Sequence, residues 1–219
     1  MKNVLIGLIV LFCTNHIHAQ TSPAFWNDII AFKKIDSAHT PPTHNILFIG
    51  SSSFTMWKDV NTSFPGYSIL NRGFGGSSLP DVIRYAYDII FPYQPKQVII
   101  YCGENDLASA DSTSAEEVAN RFKTLFGMIR TNLPNTHIAF VSIKPSPSRA
   151  SIQGKVKVAN KKIKAFIGTQ KKAAFIDIYD AMLDTKGEMR EELYIADRLH
   201  MRPAGYAIWK KAIQPYLIQ

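Results

Sequence analysis

Eight residues, Ile46-Leu47-Phe48-Ile49-Gly50-Ser51-Ser52-Ser53, constrain the fold of this chain more than any other stretch. Four apolar residues with no polar interruption read as a strand covered on both faces, the pattern of an inner strand in a parallel sheet. Gly50 allows the sharp backbone turn on which such a strand ends. The three hydroxyls that follow then stand at the carboxyl edge of the sheet, where open α/β folds hold their ligands. Whether one of them is a nucleophile depends on what the other strand ends carry.

Strand and helix patterns alternate along the rest of the chain. Apolar residues Phe25, Ile29, Ile30, Phe32 and Ile35 fit a surface helix between Pro23 and His39, stopped by Thr40-Pro41-Pro42. Phe54-Thr55-Met56-Trp57 begins a short helix or turn. Tyr67 to Leu70 reads as a second strand, ending in Asn71-Arg72-Gly73-Phe74-Gly75-Gly76-Ser77. Pro80 opens a helix through about Ile90. Gln97 to Cys102 is a third strand, followed by Gly103-Glu104-Asn105-Asp106. Ser114 with Glu117 three residues on makes a capping-box start for a helix through about Thr131. His137 to Ile143 is a fourth strand, Ala173 to Ile178 a fifth, and Ala204 to Tyr216 a closing helix. This rhythm implies a three-layer α/β/α architecture with a five-stranded parallel sheet in the flavodoxin-like order 2-1-3-4-5. Its switch point lies between strands one and three, whose ends carry Ser52 and Asn105.

The first 19 residues stand apart. Lys2, a short apolar run from Val4 to Phe12 and Ala19 at the end of a polar stretch have the form of a cleavable secretory leader. That run is too short for the ~20 residues of a membrane-spanning helix, so no stable membrane insertion is expected. Residues 20–219 then form one domain, secreted or periplasmic after cleavage near Ala19. Removing the leader takes Cys13 and leaves Cys102 without a disulfide partner; at the end of an apolar run it reads as a small buried hydrophobe. No cysteine–histidine spacing suggests zinc, and neither a metal nor a cofactor is implied.

The formal charge of +8 comes largely from Lys155, Lys157, Lys161, Lys162, Lys164, Lys171 and Lys172. Ile152, Val156, Ala159, Ile163 and Phe166 recur among them at helical spacing. The segment reads as an amphipathic helix with a solvated lysine face, or as a surface attracted to acidic polysaccharide or lipid headgroups. No nucleic-acid motif accompanies the lysines, so nucleic acid is not an expected partner.

Acyl transfer requires a hydroxyl nucleophile, an imidazole, a carboxylate to hold the imidazole, and donors for the developing oxyanion. His39, His44 and His137 look peripheral, beside proline turns. His200 lies in the last loop with Asp197 three residues upstream, close enough for the carboxylate to fold back onto one ring nitrogen. Each piece alone has a plain reading: a surface turn for Asp197 and His200, a tight turn for Gly75-Gly76, a helix cap for Asn105-Asp106 or Ser52. Their shared placement at one edge of one sheet gives them weight together.

Gly50-Ser51-Ser52, Asn71 to Gly76, Gly103-Glu104-Asn105-Asp106 and Asp197-Arg198-Leu199-His200 resemble, in that order, the sequence blocks of the SGNH hydrolases, the GDSL-type esterases and lipases. The resemblance spans nearly the whole chain beyond the leader. It implies the SGNH fold, Ser52 as nucleophile, His200 as base and Asp197 as its orienter. It also implies an oxyanion hole of the Ser52 and Gly76 backbone N–H groups and the Asn105 side-chain amide. The chain departs from the family at Ser51, where Asp is usual. Position 54 is Phe, so the G-x-S-x-G motif of the α/β-hydrolases is absent.

The resulting expectation is an exported serine esterase acting on short acyl esters, O-acetyl groups above all, on a small molecule or carbohydrate. Trp57, Phe74 and Arg149 are candidates to line the substrate site, each equally explicable as packing or turn. A lysophospholipase or thioesterase acting on longer chains, and a silent carbohydrate-binding module of the same fold, are the alternatives.

Overall fold

The structure, a computed structural model, describes residues 22–219; the leader expected over residues 1–19 lies outside them. The apolar runs form five parallel strands: β1 (Ile46–Gly50), β2 (Ile69–Gly73), β3 (Gln97–Tyr101), β4 (His137–Val141) and β5 (Ala173–Ile176). Their order is β2-β1-β3-β4-β5. Helices α1 (Trp26–Ala38), α2 (Ser52–Thr55), α3 (Val60–Ser63), α4 (Leu79–Arg84), α5 (Ala86–Ile89), α6 (Glu104–Ser109), α7 (Ala115–Asn132), α8 (Gln153–Ile167) and α9 (Pro203–Ile213) connect and cover them. This is the three-layer, five-stranded parallel architecture expected for an SGNH hydrolase.

Alternation along the strands builds two cores. Leu47, Ile49, Val98 and Ile100 face a cluster with residues of α1, α4, α5, α7 and α8, while Ile46, Phe48, Ile99 and Tyr101 face one with residues of α2, α3 and α9. Every residue of β1 and β3 is buried, which is why both strands contain so little polar alternation. Each fully buried Leu, Ile or Phe contributes roughly 1.5–3 kcal/mol over leaving it in water.

Register then places the site. Gly50 pairs with Gly73 on one side and with Tyr101 on the other, so the carboxyl ends of β2, β1 and β3 are level. The loops carrying Ser52, Gly76 and Asn105 therefore leave the sheet side by side at its switch point. Strands β4 and β5 and the closing helix end two or three residues earlier than expected, and two further elements differ for reasons of packing. Strand β2 begins and ends later, at Ile69–Gly73, because its partner β1 sets the pairing. The helix expected from Pro80 to Ile90 divides at Tyr85, whose backbone leaves helical geometry while its hydroxyl donates to the Ala24 carbonyl at 2.5 Å. Its ring also packs edge-on against Phe74. Tertiary packing overrides the local pattern there. Among the described residues no helix is long and apolar enough to cross a membrane.

Candidate active site

The turn from β1 into α2 is built by close backbone approach. Gly50 has φ +128°, and a Cβ there would lie 1.9 Å from the Tyr101 carbonyl oxygen, so only glycine fits. The Ser51 N–H donates to that same oxygen at 3.0 Å. Ser52 is the first residue of α2 and half-buried. Two side chains hold the short helix from outside: Tyr206 Oη donates to the Ser53 carbonyl at 2.9 Å, and Asn71 Nδ2 to the Phe54 carbonyl at 2.7 Å.

The histidine comes from a loop closed like a small hairpin. Tyr194 and Met201 form an antiparallel bridge, and the Ile195 N–H donates to the His200 carbonyl at 2.8 Å. Arg198, at the tip, takes the left-handed conformation (φ +57°), a strained state for a non-glycine residue. It is held there by its ion pair with Glu191 and by Ser148, whose N–H donates to the Arg198 carbonyl at 3.0 Å. The turn brings Asp197 under the imidazole. Asp197 Oδ1 accepts from the Leu199 and His200 backbone N–H groups, both at 2.9 Å, and Oδ2 lies 2.6 Å from His200 Nδ1. Partial burial pushes the Asp197 carboxyl up, but these hydrogen bonds outweigh it and bring its pKa down to about 2. An ionised carboxylate only accepts, so the proton between the two groups sits on Nδ1. Nε2 is then an acceptor, and it lies 2.8 Å from Ser52 Oγ. Hydroxyl, imidazole and carboxylate thus form one continuous hydrogen-bonded chain, although Ser52 and His200 are far apart in sequence.

Beside Ser52, the Gly75-Gly76 turn is exposed, and Gly76 has φ +82°. A Cβ on Gly75 would stand 3.9 Å from that of Ser52. The backbone N–H groups of Ser52 and Gly76 engage no acceptor among the described residues. Asn105 Nδ2 donates to Ser51 Oγ at 2.9 Å and to the Ser77 carbonyl at 3.0 Å, so the serine that departs from the family pattern touches this amide. Asp106, next in line, is structural: it accepts from Leu79 N–H at the start of α4 and pairs with Arg121 at 2.8 Å. Burial holds its carboxyl above the usual range despite that pair.

Of the three residues expected to line a substrate site, Phe74 does not. It has no exposed surface and packs against Phe25 and Tyr85 in the core. An aromatic residue beside a glycine turn met its packing demand inward, because Phe25, just before α1, and Tyr85, just after α4, supply aromatic partners there. Trp57 is 2% exposed, with ring centroid 5.0 Å from that of Tyr206. It lines a groove of about 410 Å³ between α9 and the segment that follows α2, bordered by Met56, Met201 and Lys210. Arg149 is half-buried and directed at the Asn105 side chain.

Sequence reasoning missed the buried pair beneath the site. Lys144 Nζ lies 2.5 Å from Glu104 Oε2, which also accepts from Tyr101 Oη at 2.8 Å. Burial pushes the Glu104 carboxyl up, but the Lys144 charge and surrounding hydrogen bonds prevail and hold it below the usual range. The available signal was a lysine directly after Ile143, at the end of the stretch that reads in sequence as the fourth strand.

The model of the GDSL-like Lipase/Acylhydrolase family matches residues 50–208. No curated protein sequence matches the chain. Among solved structures, it is similar to a Streptococcus pneumonia protein described in terms of platelet activating factor, at 22% identity and TM-score 0.76 over 88% of this chain and 92% of that one. It is also similar to a GDSL-like lipase from Bacteroides thetaiotaomicron VPI-5482, at 18% identity and TM-score 0.74 over 86% and 96%. An acetyl xylan esterase aligns at 15% identity and TM-score 0.64, over 80% of this chain and 100% of the other. At these identities the likeness speaks for the fold.

Proposed function

The chain belongs to the GDSL-like lipase/acylhydrolase family, and from that premise we propose that it is a serine esterase removing short acyl groups, O-acetyl above all, from a carbohydrate or small-molecule ester. The observation that carries this reading is the unbroken line from Ser52 Oγ through His200 to Asp197, at 2.8 and 2.6 Å.

In the proposed mechanism Ser52 Oγ attacks the ester carbonyl while His200 Nε2 takes its proton, and Asp197 stabilises the imidazolium that forms. The oxyanion is held by the Ser52 and Gly76 N–H groups and by Asn105 Nδ2. Both hydrogens of that amide already have acceptors, so the oxyanion takes over the one now on Ser51 Oγ; a hydroxyl can turn to a new partner, whereas the Ser77 carbonyl cannot. Collapse of the intermediate expels the alcohol, which receives the proton from His200, and leaves an acyl ester on Ser52. Water attacks this ester, its proton passing to His200, and the acid departs with Ser52 regenerated.

Two observations support a short acyl group. The proposed oxyanion turn, Gly75-Gly76, is exposed, giving direct access from solvent. An acetyl xylan esterase shares the fold, so the architecture accommodates that chemistry. Export is proposed from the form of the first 19 residues.

The test combines graded p-nitrophenyl esters and acetylated polysaccharides with fluorophosphonate labelling. Wild type is expected to prefer acetyl and to take the label on Ser52, and Ser52→Ala to lose both activity and label while keeping its circular dichroism. Preference for eight carbons or more would point to a lysophospholipase or thioesterase. Folded wild-type protein that takes no label would indicate a binding module.

A further inference from the structure

The proposed oxyanion amide is held at both ends. At Nδ2, the Ser77 carbonyl is an acceptor only and faces the nitrogen at 3.0 Å. At the other end, Arg149, a donor only, places Nη2 3.2 Å from Asn105 Oδ1, while its Nη1 lies 3.4 Å from the Glu104 carbonyl. With a pure acceptor at one end and a pure donor at the other, a single amide orientation satisfies both.

The segment carrying Arg149 is itself anchored to each side of the site. Lys144 pairs with buried Glu104, the residue before Asn105. The Pro145 carbonyl accepts from Tyr194 Oη at 2.6 Å, at the base of the histidine loop, and Ser148 N–H donates to Arg198 between Asp197 and His200. Gln153 Nε2 in turn donates to the Arg149 carbonyl at 3.2 Å. The segment 144–153 after β4 is therefore a brace linking the histidine loop to the Asn105 loop.

We propose that Arg149 is a positioning residue: its guanidinium holds the Asn105 amide with Nδ2 toward Ser52 and polarises it, strengthening Nδ2–H as an oxyanion donor. The proposal rests on the assignment of Asn105 to the oxyanion hole. A charged donor on Oδ1 draws electron density through the conjugated amide and makes the opposite N–H more acidic, the same polarisation that strengthens chains of hydrogen bonds in a low dielectric. The benefit grows as charge develops on the substrate oxygen, so it falls on turnover and not on ground-state binding.

The experiment is a double-mutant cycle on p-nitrophenyl acetate, an uncharged substrate with no acidic group for an arginine to bind. Arg149→Ala should lower kcat about tenfold with KM nearly unchanged, and Arg149→Lys should recover part of the loss. In an Asn105→Ala background, itself down by ~10²–10³ in kcat, Arg149→Ala should cause little further loss. An equal loss in both backgrounds, or a loss carried by KM, would overturn the positioning role while leaving the oxyanion assignment standing. Full activity in Asn105→Ala would sink the oxyanion assignment itself. Circular dichroism and thermal melts of each variant separate these outcomes from misfolding; if Arg149→Ala does not fold, Arg149→Lys and Arg149→Gln run through the same cycle decide the matter.

Discussion

Asp197 carries three hydrogen bonds on one side chain, and its acid–base behaviour follows from them. Its folded pKa of about 2 lies below the ordinary 3.8. A carboxyl depressed by folding contributes stability that is fully present above about pH 4 and is lost as pH falls toward 2. Because the side chain is 43% exposed, solvent screening keeps the magnitude small. The stability difference between wild type and Asp197→Asn, from urea titrations, should be constant near neutrality and narrow between pH 4 and pH 2. A difference that stays flat across that window would contradict the hydrogen-bonded carboxylate. The pairing of Asp197 with His200 was legible from a spacing of three residues. The turn that makes it work was not, since nothing in Arg198 announces a left-handed backbone; its carbonyl partner Ser148 comes from a distant loop. Arg149 was legible as a loop arginine and open to a role in binding substrate. Its partner, the Asn105 side-chain oxygen Oδ1, is a matter of packing between two strand ends.

Among the elements, the turn from β1 into α2 tolerates least. Gly50 combines φ +128° with a phantom Cβ buried in the Tyr101 carbonyl, whereas Gly66 has φ +86° and nothing within 4 Å. Gly66→Ala should cost about 1 kcal/mol, the left-handed penalty alone. Gly50→Ala should cost over ~4 kcal/mol, since two backbones would have to separate where they now pair. Chemical denaturation of both variants measures the contrast, and comparable destabilisation would contradict the close approach. The apolar residues of β1 and the glycine after them announced this turn, because a strand buried on both faces has little room for polar residues. Helix α7 was equally readable: Ser114 Oγ accepts from Glu117 N–H at 3.1 Å, as its spacing suggested. The break at Tyr85 was not readable, since the local residues favour a helix and the force that divides it comes from Ala24 and Phe74.

The whole molecule is a sheet with a separate core on each face, and Cys102 lies within one of them. At 1% exposure its thiol is shielded, and burial pushes its pKa well up. A thiol reagent should therefore leave Cys102 unmodified in native protein and react only through global opening. The labelling rate should rise with urea in step with unfolding followed by circular dichroism; rapid labelling in native buffer would contradict the packing. The lysine-rich segment belongs to this scale too. Helix α8 buries Val156, Ala159 and Ile163, and three of its five lysines find partners: Lys155 at the Asp111 carbonyl at 2.6 Å, Lys162 at Glu116 and Lys164 at Asp177 at 3.2 Å. These partners favour the solvated-face reading.

Apolar periodicity was enough to specify the strands, the helices and their layers, because burying a strand on two faces or a helix on one leaves a legible spacing; the order 2-1-3-4-5 was the known arrangement that suits such a rhythm, and the sheet adopts it. The blocks around Ser52, Gly76, Asn105 and His200 named the candidate residues through their resemblance to the SGNH hydrolases, each block standing at the end of a particular element. Which side chains meet across the gaps between those ends depends on strand register, on turns under strain and on distant partners. Phe74 turns inward, Ser51 takes the Asn105 amide, Lys144 sinks beneath the site, and Arg149 grips Asn105 Oδ1. Such contacts join residues tens of positions apart, so no local pattern encodes them; they come into being only when the sheet is assembled.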